Sequence, residues 1–127
     1  TAKQLAVMAA TIANCGTNPV TWEEVFHPNL TPHIASLMAT VGFYEHTGDW
    51  LFNTGLPAKT GVGGGIMAVI PGVMGLAAFA PPLDEAGNSV KAQKALEYIS
   101  VRLGLNIFSP ARVELAAAEP VREGVCK

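Results

Sequence analysis

One ten-residue segment, Leu56-Pro57-Ala58-Lys59-Thr60-Gly61-Val62-Gly63-Gly64-Gly65, concentrates the groups able to do chemistry. Lys59 is the last charge before the 24 uncharged residues Thr60–Leu83, so burying its ammonium would need a purpose or a partner. Thr60 adds a hydroxyl, and Gly61 lets a ligand lie against the backbone. The plainer reading is a Gly-rich strand start with a snorkelling lysine. Two nucleotide-binding readings fail. A phosphate loop needs Gly-Lys-Thr at the end of its glycines, whereas Lys59-Thr60 precede them; a dinucleotide fingerprint from Gly61 needs glycine where Ile66 stands.

The remaining candidates read as structural. His27, His33 and His46 have no metal-ligand spacing among themselves or with Cys15, so no metal is expected. Glu45, Asp49, Asp84 and Glu85 read as exposed turn charges. Met8, Met38, Met67 and Met74 read as core residues, and Trp22 and Trp50 as packing aromatics. Cys15 and Cys126 imply no disulfide framework, which with no recognisable secretory leader suggests a cytoplasmic protein.

The elements that must position these groups follow from composition and punctuation. The chain has 127 residues, 50% hydrophobic and 14% charged, too apolar for disorder. Eight basic against ten acidic residues, with no basic run, leave nucleic acid excluded as a partner. The uncharged tract is long enough to test as a membrane span, but the Gly63-Gly64-Gly65 triplet and Pro71-Gly72 break it, so no membrane partner is expected. It divides into Ile66–Ile70 and Leu76–Ala80, an antiparallel strand pair covered on both faces.

Before the pair, Thr1–Asn14 is a predicted helix with Thr1 and Gln4 at capping-box spacing and Leu5, Met8, Ala9 and Ile12 on one face. A second begins at Thr31-Pro32, carries Ile34, Leu37, Met38 and Val41 inward and stops at Gly42. Phe43–Asp49 reads as a loop and Trp50-Leu51-Phe52 as a brief strand. After the pair, Asn88 or Ser89 caps a third helix with the stripe Ala92, Leu96, Ile99 and Leu103, ended by Gly104. The fold class is α+β, helices laid on an antiparallel sheet, with residues 110–127 as a tail. Three strands apolar on both faces need more helices than this chain supplies, so residues 1–109 read as part of a domain.

Lys59-Thr60-Gly61 opening a strand is also one of the three motifs of serine-reactive β-lactamases and penicillin-binding proteins, where the lysine supplies positive potential beside the active site. Longer motifs carry a more specific resemblance. Leu5–Thr11, Asn18-Pro19-Val20-Thr21, Gly42-Phe43-Tyr44, Gly55–Gly65, Pro81-Pro82-Leu83-Asp84 and Gly87-Asn88-Ser89-Val90, in that order, resemble the C-terminal part of the glutaminases with the serine β-lactamase-like fold. Thr60 stands where that family commonly has Ser, Cys15 where Gly is usual, and Ala80 where Ser is frequent.

The resemblance implies hydrolysis of L-glutamine to glutamate and ammonia through a serine acyl-enzyme, in a homo-oligomer, often a tetramer. It places Tyr44 against the substrate and gives the Val62 N–H to the oxyanion hole, with Lys59, Thr60 and Gly61 lining the site. The family's nucleophile lies in an upstream Ser-x-x-Lys. Ser36, Ser89, Ser100 and Ser109 all lack Lys three residues on, so this chain alone is expected to be inactive. Two alternatives stay open, another serine-reactive amidohydrolase of the same fold and a non-catalytic interaction module.

Overall fold

The capping pair at the head of the chain closes as its spacing predicts: Thr1 Oγ1 accepts the Gln4 N–H and the Gln4 side chain reaches back, starting α1 (Ala2–Ala13). The computed structural model describes residues 1–110. Pro28–Leu30 form a 3₁₀ turn that runs into α2 (Thr31–Val41), ended by Gly42. Then come a second 3₁₀ turn, Tyr44–His46, and α3 (Thr47–Thr54). Three strands follow, β1 (Ala58–Gly61), β2 (Gly65–Ile70) and β3 (Met74–Phe79), and then α4 (Val90–Leu103). The fold is α+β.

The sheet is antiparallel in the order β1-β2-β3, with Ala58 opposite Ala68 and Val69 opposite Gly75. Side-chain alternation gives the middle strand two cores. Ile66, Ala68 and Ile70 pack with Phe43, Trp50, Leu56, Ala92 and Leu96, which brings α3 and α4 to one face. Val69 and Met67 pack with Ala9, Ile12, Ala13 and Met38, which brings α1 and α2 to the other. The expected two-sided burial therefore holds for β2. Helix α1 lies so close to the sheet that a Cβ on Gly75 would sit 2.1 Å from the Ala10 nitrogen.

Several local expectations give way. Trp50-Leu51-Phe52 is not a strand but the middle of α3: Trp50 and Thr54 bury one helical turn apart, while Phe52 is 88% exposed. The Trp50 ring stacks on Phe43 at 4.3 Å and its indole N–H donates to the Leu56 carbonyl at 2.9 Å. These tertiary contacts override the strand preference of a short aromatic run. Helix α3 and the preceding 3₁₀ turn replace the loop expected over Phe43–Asp49, and the third strand is β1. On α2 only Thr31 and Met38 are buried; Leu37 and Val41 face outward. Met8, Trp22 and Leu103 are likewise exposed, Trp22 at 76%.

Ser89, not Asn88, caps α4, accepting the Ala92 N–H at 3.3 Å, and Gly104 ends it in the left-handed conformation. Beyond Pro110 the expected tail and Cys126 fall outside the described residues. Among the described residues no helix is long and apolar enough to cross a membrane.

Candidate functional site

The end of β1 is held from outside the sheet as well as within it. Gly42, closing α2, accepts the Thr60 N–H on its carbonyl at 3.1 Å. Strand alternation then separates the lysine from the threonine. Thr60 is opposite Ile66, buried, and shares the face of Ala58; Lys59 is opposite Met67 and exposed. The Lys59 ammonium donates to the Thr60 carbonyl at 2.6 Å and stands 4.9 Å from the centre of the Tyr44 ring, within cation–π range. Exposure removes the desolvation difficulty that its apolar sequence context suggested. Thr60 Oγ1 is buried with no hydrogen-bond partner among the described residues.

Gly61–Gly64 make the turn out of β1. Gly64 has φ of +90°, its N–H donates to the Gly61 carbonyl at 2.9 Å, and its own carbonyl accepts the Ala80 N–H at 3.0 Å. Gly64 is thus required by backbone conformation. A Cβ on Gly61 or Gly63 would meet nothing, which leaves open space beside Val62. Val62 itself is 70% exposed, and its N–H makes no hydrogen bond among the described residues. That donor is available to an acceptor outside the chain.

Tyr44 comes from the turn after α2, with a left-handed φ of +52° that costs a non-glycine residue about 1–2 kcal/mol. Thr47 holds it there: its hydroxyl donates to the Tyr44 carbonyl at 2.8 Å and accepts the Phe43 N–H at 2.9 Å. Gly87 joins this side of the site to Val62. A Cβ added to it would lie 3.4 Å from Val62 Cγ1 and 3.7 Å from Tyr44 Cε2. Tyr44, Lys59, Val62 and Gly87 therefore converge, while Thr60 is turned to the opposite face.

Sequence reasoning missed Gly87, His46 and Asp84. Asp84 is not an exposed turn charge. Oδ1 accepts the Asn88 N–H at 2.8 Å, Oδ2 accepts from Gln93 Nε2 at 2.9 Å, and His46 Nδ1 is 4.0 Å from Oδ2. The spacing Asp84-x-x-x-Asn88 just before a helix was the available signal. Partial burial pushes the Asp84 carboxyl up, but the Asn88 N–H, the Gln93 amide, His46 and the Ala86 N–H together hold it below the usual carboxylate range.

With the folded value below the unfolded one, ionised Asp84 stabilises the fold above about pH 4, and that contribution is lost as pH falls through the folded value. Asp84→Asn is expected to lower the thermal midpoint at neutral pH, with the two curves converging below about pH 4. Parallel curves across the whole range would refute this.

No three His, Cys, Asp or Glu side chains group as metal ligands among the described residues. The serines are otherwise engaged: Ser36, Ser89 and Ser100 donate their hydroxyl protons to the carbonyls of Pro32, Ala80 and Thr54. None of the three has Lys three residues on.

Residues 1–108 match the family model described as Glutaminase. The chain is 63% identical over 115 residues to a glutaminase of Parabacteroides distasonis, covering 91% of this chain and 36% of that protein. Against a glutaminase of Escherichia coli O81 the identity is 51%, covering 83% of this chain and 34% of that one. The chain thus spans about a third of the length of the curated relatives it matches. Among solved structures, the probable glutaminase ybaS superposes with a TM-score of 0.82 at 50% identity, over 84% of this chain and 34% of that one. The Bacillus subtilis glutaminase YbgJ, in covalent complex with 5-oxo-L-norleucine formed from 6-diazo-5-oxo-L-norleucine, superposes with a TM-score of 0.80 at 32% identity, over 85% and 39%.

Proposed function

The chain belongs to the glutaminase family, and we propose that it carries the C-terminal part of an amidohydrolase site that cleaves the side-chain amide of L-glutamine. The observation that carries this reading is the meeting of Tyr44, Lys59 and Val62 beside the open Gly61–Gly63 turn. The YbgJ complex supports the substrate class: its adduct is 5-oxo-L-norleucine, which has a ketone where glutamine has its side-chain carbonyl.

In the complete enzyme a serine oxygen outside these residues attacks the amide carbon. The tetrahedral oxyanion takes a hydrogen bond from the Val62 N–H, and ammonia leaves with the transferred proton. Water then attacks the γ-glutamyl ester, releasing glutamate and restoring the serine. The Tyr44 hydroxyl shuttles or steadies the proton. Lys59 contributes positive potential, and Gly61 gives the substrate backbone access. Thr60, facing inward, supports the strand from its other side. The proposal extends by family to a cytoplasmic homotetramer with no metal or organic cofactor, residues 1–109 forming part of the catalytic domain and 110–127 a tail.

Tyr44→Phe in the complete protein tests the reading, because it keeps the ring over Lys59 and removes only the hydroxyl. Ammonia release from glutamine should fall about 10²-fold in kcat/KM. The 127-residue chain by itself should release none. Turnover by that chain alone, or a complete protein inert towards glutamine, would overturn the proposal.

A further inference from the structure

We propose that Asp84 is a positioning residue for this site: its carboxylate ties the 84–88 turn to the Tyr44–His46 turn and thereby sets Gly87 against Tyr44 and Val62. The inference rests on the assignment of Tyr44 and Val62 to the substrate side of the site.

The turn is a closed loop. The Asp84 N–H donates to the Asn88 carbonyl at 2.8 Å, and the Gly87 N–H donates to the Asp84 carbonyl at 3.0 Å. The side chain closes it a third time, Oδ1 taking the Asn88 N–H at 2.8 Å. Oδ2 then faces two other elements. It accepts from Gln93 on α4 at 2.9 Å, and it stands 4.0 Å from His46 Nδ1 on the turn that presents Tyr44. Gly87, at φ of +93°, occupies the tip of this loop, where a Cβ would come within 3.4 Å of Val62 Cγ1 and 3.7 Å of Tyr44 Cε2. One carboxylate therefore links α4, the loop tip and the tyrosine turn.

A helix-capping role does not account for this arrangement. Ser89 already caps α4, with its Oγ accepting the Ala92 N–H and donating to the Ala80 carbonyl. Asp84 stands six positions before Val90, the first residue of α4, too far ahead to serve its first turn. One side-chain bond closes the loop, the other takes the Gln93 amide beyond the first turn of α4, and the same oxygen faces His46. Tyr44 has a left-handed backbone, held within its own turn by Thr47 and by the bond from the His46 N–H to the Phe43 carbonyl, and Asp84 supports that turn from outside. A shift of the Gly87 tip would free Val62 and the tyrosine ring together. An oxyanion donor displaced by a fraction of an ångström weakens the transition state more than the bound substrate, so the loss should appear in kcat.

The test uses the complete protein, with active sites titrated by 6-diazo-5-oxo-L-norleucine so that rates refer to competent sites. Asp84→Ala should lower kcat about tenfold with KM within about twofold. Asp84→Asn keeps an acceptor for the Asn88 N–H but loses the charge and puts an amide donor where Oδ2 accepts from Gln93. It should cost about threefold, the scale of one lost hydrogen bond. His46→Gln should cost no more than Asp84→Asn, and the double variant should be no worse than Asp84→Asn alone. Per-site kcat within about twofold of wild type in Asp84→Ala, or losses that multiply in the double variant, would overturn the proposal. If the wild-type protein releases no ammonia, the functional assignment fails separately. The positional claim is then read from NMR: Val62 methyl and Tyr44 ring signals that shift in Asp84→Asn uphold it, and unmoved signals refute it.

Discussion

Gly42→Ala should destabilise the fold by more than about 3 kcal/mol, read as a lowered midpoint of chemical unfolding. The cause is space and not conformation, since Gly42 has an ordinary φ of −78°. A Cβ there would lie 1.8 Å from the Ala58 carbonyl oxygen and 2.2 Å from that of Met38. Both neighbours are backbone, one in β1 and one in α2, and neither can swing aside as a side chain would. The strand would have to leave the helix end, breaking the bond from the Thr60 N–H to the Gly42 carbonyl and dragging the Lys59-Thr60-Gly61 segment out of place. Gly48 supplies the contrast. A Cβ on it meets nothing, and it lies inside α3, so Gly48→Ala should stabilise by about 0.5–1 kcal/mol. Equal midpoints for the two variants would refute the steric argument.

Val62→Pro in the complete protein should lower kcat for glutamine about 10²–10³-fold with little change in unfolding midpoint. Proline removes one hydrogen-bond donor and leaves a side chain of similar bulk. Because the Val62 N–H makes no hydrogen bond among the described residues, the fold loses no bond by the change. The open surface at Gly61 and Gly63 gives the ring room. Val62→Ala serves as the partner variant: it keeps the N–H, so it should retain activity within a few-fold. Loss of activity in both variants alike would assign the effect to the side chain and refute the backbone role.

The sequence was most readable where the cause of structure is local. Thr1 with Gln4, Ser89 before α4 and Gly104 after it act within a few residues of where they stand, and each performs as its type predicts. The β2–β3 pair was readable because Pro71-Gly72 interrupts two apolar runs. Trp50 packs as expected, but the strand expected over Trp50-Leu51-Phe52 fails: three aromatic and aliphatic residues in a row favour a strand, whereas the helix depends on Trp50 meeting Phe43 and the Leu56 carbonyl. Leu37 and Val41 show a second limit: a stripe identifies a helix face without naming what covers it.

The candidate site divides in the same way. Lys59, Thr60 and Gly61 could be singled out from one short motif, whereas Tyr44 and Val62 were marked only by family resemblance. That Lys59 and Thr60 face opposite ways needed the register of β1 against β2. Gly87 and Asp84 reach Tyr44 and His46 across some forty residues of chain, through loops without periodicity, and only the folded backbone brings them together.

The close seat of α1 on Gly75 also sets an order of events during synthesis. Ala10 leaves the ribosome 65 residues before Gly75, the residue against which its backbone finally rests. Until then the helix face formed by Ala9, Ile12 and Ala13 has no β2 to cover it. Among the described residues α1 is thus made well before the strands it packs on, and its apolar face stays uncovered by them until they follow.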